Sequence, residues 1–281
     1  MRFAVVGNTG MFGKDMESLL KKENHDVRGF NRSNLFTTAS VPELVKLLNG
    51  FDVVVNAVAY TAVDDAENNF DLANSVNGNF AGLLAQACKF TGARFIQVST
   101  DYVFDGLSNS PYKIHESINP KTAYGRSKAL GERLVQESGD DYSIIRTAWL
   151  YGAYGQCFPR VVAELLKTNG TIRVVGDQVG QPTWTKDLAN VILQVVNLVK
   201  MPRIVHAVSS GQASWADFAK EVANTIGISD KAVEEISSAE YPTPARRPEW
   251  SVLDNSSDVL IPIGNWRERW RASAPEVLRG I

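Results

Sequence analysis

Short strand-like runs and longer amphipathic segments alternate along the first half of the chain. Between the runs, apolar residues recur every three or four positions, for example at Phe12, Met16, Leu19 and Leu20, which predicts helices packed on one face. This alternation predicts an α/β fold with a Rossmann-type, doubly wound parallel sheet. The runs that predict strands are residues 3–6, 26–30, 51–57 and 94–98.

The pattern changes after Trp149, where glycines become frequent and the predicted strands and helices shorten. We predict a dinucleotide-binding domain over residues 1–150 and a smaller, mainly substrate-binding lobe over residues 151–281, with segments within 170–210 returning to the main sheet. Near the end, Trp266 and Trp270 indicate an amphipathic closing helix, and their stripe is either core or an exposed interface.

Composition narrows the function classes. The chain has 281 residues, 44% of them hydrophobic and 21% charged, with a formal charge of −2. This balance is that of a globular protein and gives no indication of binding to nucleic acid or to an acidic membrane. Two cysteines predict neither a disulfide framework nor a metal site. Without an 18-residue apolar stretch or a signal-peptide pattern, we expect a cytoplasmic protein without a membrane span.

A glycine-rich turn joins the first strand to the first helix. Gly7, Gly10 and Gly13 stand in G-x-x-G-x-x-G spacing, in the strand–turn–helix context of a dinucleotide fingerprint. Gly7 would make the tight turn, Gly10 would admit a pyrophosphate to the helix N-terminus, and Gly13 would let helix and strand pack closely. The alternative is a glycine turn without a ligand.

The end of the second strand bears on the choice of cofactor. NAD sites usually carry an acid there to bind the ribose 2′-hydroxyl, whereas this chain continues with Asn31 and Arg32. A guanidinium suits the 2′-phosphate of NADP. NADPH is therefore favoured, with NADH as the alternative and an ordinary loop arginine as the other interpretation of Arg32.

A tyrosine and a lysine four residues apart are the candidate acid–base pair. On a helix, Tyr124 and Lys128 lie on one face, and a nearby ammonium would lower the pKa of the phenol. Upstream, Thr100 lies at the tip of a predicted strand, where its hydroxyl would reach the same substrate carbonyl and polarise it. Most isolated Tyr-x-x-x-Lys pairs are solvated helix faces, so the pair gains meaning from the glycine turn and Thr100.

Together these motifs resemble an extended short-chain dehydrogenase/reductase. Longer strings resemble the dTDP-4-dehydrorhamnose reductase family over nearly the whole chain, namely residues 59–67, 99–104 and 146–151. The resemblance implies a Rossmann fold, NADPH or NADH as reductant and reduction of the 4-keto group of a dTDP-linked deoxysugar. One departure is the absence of an acid after the second strand, where the chain has Leu35, Phe36 and Thr37.

The resemblance also implies roles for individual residues. Tyr124 would be the proton donor, Lys128 would hold the nicotinamide ribose, and Thr100, Asp101 and Trp149 would contact the sugar. With the residues chosen from spacing, the expected cofactor-binding set is Gly7, Thr9, Gly10, Met11, Phe12, Gly13, Asn31, Arg32, Ala57, Ala59, Tyr60, Thr61, Val98, Tyr124 and Lys128.

A proline-rich segment carries two further cations. Prolines at 242, 244 and 248 exclude a helix, and Arg246 and Arg247 between them suit the pyrophosphate of a sugar nucleotide. A structural clamp between the two parts of the chain is the alternative interpretation.

The sequence thus predicts an NADPH-dependent reductase of a dTDP-linked 4-keto-6-deoxysugar, such as dTDP-4-dehydro-L-rhamnose. The rivals are a sugar-nucleotide epimerase and a non-catalytic NADP-binding regulatory subunit. A 4,6-dehydratase is disfavoured, since Tyr102 stands where such enzymes carry a glutamate. The nucleotide sugar is the expected partner, and a homodimer is left open.

Overall fold

The computed structural model describes residues 1–31 and 40–281. Within these residues the strands, in chain order, are β1 (Arg2–Val6), β2 (Asp26–Phe30), β3 (Val53–Asn56), β4 (Arg94–Thr100), β5 (Tyr142–Thr147), β6 (Leu150–Tyr151), β7 (Ile172–Val175), β8 (Val179–Gly180), β9 (Thr183–Trp184), β10 (Ile204–His206), β11 (Ser209–Ser210), β12 (Ala213–Ser214), β13 (Val233–Ile236) and β14 (Ile263–Asn265).

The described helices are α1 (Met11–Lys22), α2 (Val41–Leu48), α3 (Val63–Ala66), α4 (Phe70–Ala73), α5 (Phe80–Thr91), α6 (Ala123–Ser138), α7 (Phe158–Asn169), α8 (Thr185–Asn197), α9 (Trp215–Thr225) and α10 (Trp266–Val277). A π-helical segment (Asn74–Asn79) joins α4 to α5, and single 3₁₀ turns cover Asp101–Val103, Asp230–Ala232 and Ser238–Glu240.

Six described strands form one parallel sheet in the order β10-β5-β4-β3-β1-β2, as the alternation of strands and helices predicts. The chain goes outward from β1 to β2 and then crosses to the other side of β1 to form β3. Val6 at the end of β1 lies opposite both Phe30 and Asn56. Open α/β sheets bind ligands beyond the carboxyl ends of the strands at such a reversal, and the glycine turn leaves β1 there.

Helices cover both faces of the sheet. Met16 and Leu20 of α1 pack with Leu188 and Ile192 of α8 on one face, because both helices repeat apolar residues every three or four positions. On the other face, α2, α5 and α6 bury a second apolar cluster. The sheet is therefore shielded from water on both sides, as its apolar strands require.

The C-terminal segments build a third core. Trp266 and Trp270 are 0% exposed and pack edge-on to Phe218 of α9. The interpretation of these tryptophans as an exposed interface is wrong, because α9 and α10 bury the stripe between them. Among the described residues, no helix combines the length and apolar character that crossing a bilayer requires.

Candidate active site

A cavity of about 610 Å³ opens beyond the carboxyl ends of β1, β3, β4 and β5. It lies where the strand order reverses, so the topology places it at the expected ligand crevice. The expected site residues that line it are Gly10, Met11, Phe12, Gly13, Ala57, Ala59, Thr61, Val98, Thr100, Asp101, Tyr124, Lys128, Trp149 and Arg247.

Helix α6 presents the acid–base pair to this cavity. The Thr122 hydroxyl caps the helix by accepting from the Gly125 N–H at 3.0 Å, which fixes the first turn and with it Tyr124. One turn later, Lys128 is 3% exposed, and its Nζ donates to the Val98 carbonyl at 2.6 Å. The spacing of four residues therefore does place both side chains at the cavity.

The tip of β4 supplies the third polar group. Thr100 is buried and lines the cavity together with Tyr124. The Thr100 hydroxyl also donates to Asp101 Oδ1 at 2.7 Å. Burial raises the pKa of Asp101 to about 6, against the lowering effect of the nearby Thr100 and Ser251 hydroxyls. A hydroxyl, a phenol and a carboxyl thus meet at one wall of the cavity.

The pKa of Tyr124 differs from the sequence prediction. Burial raises the pKa of Tyr124, with the hydroxyl of Thr100 lowering it and the carboxylate of Asp101 raising it. The prediction that Lys128 lowers the pKa of this phenol is wrong here, since the ammonium is bonded to the Val98 carbonyl. Burial in turn lowers the pKa of Lys128 to about 8, partly offset by the Glu132 carboxylate.

The glycine turn has the shape of a phosphate cradle. Gly7 has a φ of +91°, and a Cβ there would lie 2.9 Å from the Ala57 backbone, so the turn itself requires glycine. A Cβ on Gly13 would lie 2.2 Å from the Gly7 carbonyl oxygen. At Gly10 the nearest atom would be 3.4 Å away. No close protein contact demands glycine at Gly10, so the space over it fits the approach of a pyrophosphate to the N-terminus of α1.

The loop after β3 forms the adjoining wall, but Tyr60 departs from expectation. Ala57, Ala59 and Thr61 line the cavity, whereas the Tyr60 phenol donates to Asp65 outside it. The Tyr60 backbone is held by the buried Asn77 amide, which accepts from its N–H at 2.7 Å and donates to its carbonyl at 3.1 Å. Asn77 also donates to Ser127 of α6 at 2.9 Å, so it ties this loop to the catalytic helix.

Four other predicted cofactor residues lie outside the cavity wall or outside the described chain. Gly7 and Thr9 shape the turn rather than line the cavity, since the Gly7 N–H donates to the Phe30 carbonyl at 2.7 Å. Asn31 follows β2 directly and is not among the cavity-lining residues. Arg32, on which the preference for NADP rests, lies outside the described residues.

Trp149 faces the cavity together with a tryptophan that the sequence analysis missed. Trp149 has a φ of +45°, and its ring stacks on that of Trp215, with centroids 3.5 Å apart and an interplanar angle of 3°. Both line the cavity. Trp215 is the first residue of α9, so its distance of 66 residues along the chain gave no signal of the pairing.

The two arginines of the proline-rich segment have different surroundings. The Arg247 guanidinium lines the cavity and donates to Asp64 Oδ2 at 2.7 Å. The more exposed Arg246 pairs with Glu249 at 3.1 Å and lies outside the main cavity. It borders an adjacent cavity of about 150 Å³ that Tyr102 and Arg247 share with the main one. Arg247 therefore links the proline-rich segment to Asp64 and also lines the cavity, and its binding to a ligand stays a prediction.

Fold and site together define a Rossmann-type oxidoreductase of the short-chain dehydrogenase/reductase class. The family model described as the RmlD substrate binding domain matches residues 1–280. The chain accordingly belongs to the dTDP-4-dehydrorhamnose reductase family. A dTDP-4-dehydrorhamnose reductase of Streptomyces griseus is 38% identical over 98% of this chain and 93% of its own length.

Solved structures agree with this assignment. A dTDP-4-dehydrorhamnose reductase from Clostridium acetobutylicum is 36% identical, with a TM-score of 0.92 and coverage of 98% of both chains. A Bacillus anthracis dTDP-4-dehydrorhamnose reductase, solved in complex with NADP, is 30% identical, with a TM-score of 0.93 over 98% of this chain and 99% of its own.

Proposed function

We propose that this protein uses NADPH to reduce the 4-keto group of a dTDP-linked 4-keto-6-deoxysugar, such as dTDP-4-dehydro-L-rhamnose. The observation that carries the proposal is the meeting of Tyr124, Thr100 and Lys128 in one cavity with the glycine cradle. The family relationship supplies the substrate class. NADPH is proposed ahead of NADH because the Bacillus anthracis relative binds NADP.

The chain's own residues supply binding, orientation and the proton. The N-terminus of α1 with Gly10 would hold the pyrophosphate, and Lys128 would hold the nicotinamide ribose. NADPH, when bound, supplies a hydride to the keto carbon. The Thr100 hydroxyl would turn its single proton from Asp101 to the keto oxygen and polarise it by hydrogen bonding, and Tyr124 donates its phenolic proton to the oxygen as negative charge develops there. The raised pKa of Tyr124 suits this role, because the phenol stays protonated until the alkoxide forms.

The contacts with the substrate are proposed from other side chains that line the same cavity. Trp149 would pack on the sugar ring, with Trp215 behind it, and Asp101 would accept a hydrogen bond from a sugar hydroxyl. Arg247, with Arg246 in the adjoining cavity, would face the pyrophosphate of the nucleotide. In this proposal the segment after residue 150 contributes mainly to substrate binding.

The test is NADPH oxidation across a panel of 4-keto sugar nucleotides, compared with Tyr124→Phe. We expect stoichiometric oxidation with a dTDP-4-keto-6-deoxysugar. The variant should lose at least about a hundredfold in kcat, the scale of general acid catalysis, and keep its affinity for NADPH. Sugar conversion without net oxidation would indicate an epimerase, and tight NADPH binding without any turnover would indicate a regulatory subunit. Either result would overturn the proposal, as would a Tyr124→Phe variant that keeps most of the rate.

A further inference from the structure

A buried ion pair lies one helical turn beyond Lys128. Glu132 continues the row of Tyr124 and Lys128 along α6, because the three residues are spaced by four. Its carboxylate accepts from Arg146 Nε at 3.0 Å and from Arg146 Nη2 at 2.8 Å. Glu132 is 1% exposed and Arg146 is 3% exposed. Burying two charges is costly, and apolar residues of similar volume are often as stable as a buried ion pair. Stability alone therefore does not explain why an ion pair lies at this position.

The pair connects the elements that carry the reacting groups. The Ser99 hydroxyl donates to Glu132 Oε1 at 2.6 Å, and Ser99 directly precedes Thr100. Arg146 lies on β5 opposite Ser99 in the strand register. Glu132 thereby fixes the tip of β4 to α6, and hence Thr100 relative to Tyr124.

Glu132 also sets the charge around Lys128. Burial favours the neutral amine, and the Glu132 carboxylate opposes this effect. The Lys128 ammonium itself donates to a neutral carbonyl, that of Val98, so Glu132, one helical turn away on α6, acts on it through space and not by direct contact. The remaining charged and titratable groups on the described elements packed against α6 are Asp64, Asp65, Asp71, Cys88, Lys89, Arg94, Asp101, Tyr102, Tyr142 and Arg146, with His206 behind Arg146 on β10.

We propose that Glu132 is a positioning residue of the active site, which keeps Lys128 protonated and holds the Thr100 strand against the catalytic helix. The inference rests on the proposed function for its consequence in catalysis, but not for its electrostatic part. Glu132 touches neither cofactor nor substrate in this scheme. It acts through Lys128 and Ser99.

The experiment is a direct titration of the Lys128 amine by NMR in lysine-labelled protein, with the signal assigned by Lys128→Met. In Glu132→Gln, which keeps the side-chain shape but removes the charge, the titration midpoint should fall by up to about 1 pH unit, because the charge acts across one helical turn and is shared with Arg146. The matched control is Arg146→Met, which breaks the same pair but leaves the anion, so its midpoint should not fall. If the wild type reduces a 4-keto sugar, the alkaline limb of its kcat profile should shift in the same direction as the midpoint.

Loss of structure is separated from loss of charge by a double variant. Glu132→Met with Arg146→Met replaces the pair with apolar groups, a change that proteins often tolerate, and its midpoint should lie between those of Glu132→Gln and Arg146→Met, because an anion and a cation are both lost. An unchanged midpoint in Glu132→Gln would overturn the inference, as would an equal fall in Arg146→Met. Because the titration needs no sugar, a wild type without reductase activity would refute the proposed function and leave this test decisive.

Discussion

The buried carboxyl of Asp101 makes a quantitative prediction about the cost of the active site. Burial raises its pKa from 3.8 to about 6, so folding disfavours the ionised form. A difference of about 2 pH units corresponds to about 3 kcal/mol at 1.36 kcal/mol per unit. Near pH 7 the carboxyl is ionised in both the folded and the unfolded state, and this cost is present in full. Asp101→Asn removes the charge, and we expect it to increase the free energy of unfolding there by up to about 3 kcal/mol.

The pH dependence of the stability difference between Asp101→Asn and the wild type tests whether the buried charge of Asp101 causes it. As the pH falls through about 6, the folded protein takes up the proton first, so the advantage of Asp101→Asn should shrink to about 1 kcal/mol near pH 4.5. Urea denaturation followed by circular dichroism at several pH values measures this trend. A variant that is less stable than the wild type near neutrality, or an advantage that does not change with pH, would refute the reasoning.

A nearby carboxyl provides a control of opposite sign. Asp105 accepts a hydrogen bond from the Tyr112 hydroxyl at 2.7 Å, which lowers its pKa. Its ionised form therefore stabilises the fold above the unfolded pKa, and this stabilisation is lost as the pH falls through the folded pKa. Asp105→Asn should lower the free energy of unfolding near neutrality, with a smaller effect in acid.

Two further predictions concern the ligand-facing walls. Gly10→Ala should weaken NADPH binding by about tenfold or more without loss of thermal stability, because its Cβ would make only an ordinary contact with the protein, 3.4 Å from the Gly7 carbonyl oxygen, but would occupy the space proposed for the pyrophosphate. Gly13→Ala should weaken NADPH binding and should also lower the melting temperature. Fluorescence titration measures NADPH affinity and thermal denaturation measures stability, so together they distinguish the two variants. Trp215→Ala should raise the KM for the sugar nucleotide several-fold with little change in NADPH affinity, since Trp149 loses its stacking partner. The measurement is steady-state kinetics, and an unchanged KM in Trp215→Ala would contradict the prediction.

Much of the fold could be predicted because its signals are local. Four of the six strands in the sheet coincide with short runs that the sequence analysis identified, whereas β5 was not among them. The glycine turn shows in the spacing of three residues, and at Gly13 the contact that requires glycine is with Gly7, only six positions away. The same is true of Tyr124 and Lys128, whose common helix face follows from helical geometry. The family resemblance added the assignment of the sugar-facing wall.

The remaining features depend on contacts that are distant in sequence. Trp215 reaches Trp149 through the folding of the C-terminal segment, and no local pattern marks it. The pKa of Tyr124 depends on burial and on the neighbours Thr100 and Asp101, so the presence of Lys128 in the motif predicted the wrong direction. Glu132 lies in the same periodic row as the catalytic pair, and extending that row by one turn would have found it.

The position of β10 has a consequence for dissecting this protein. Ile204, Val205 and His206 pair with β5, so a fragment ending near residue 150 would leave the backbone N–H and C=O groups on that edge of β5 without a partner, while β4 would still pair with the other edge. It would also lack the α8 side chains that cover one face of the sheet. An apolar strand exposed in this way is a template for intermolecular pairing. The N-terminal portion expressed alone should therefore aggregate, although most of its nucleotide-binding motif would be intact.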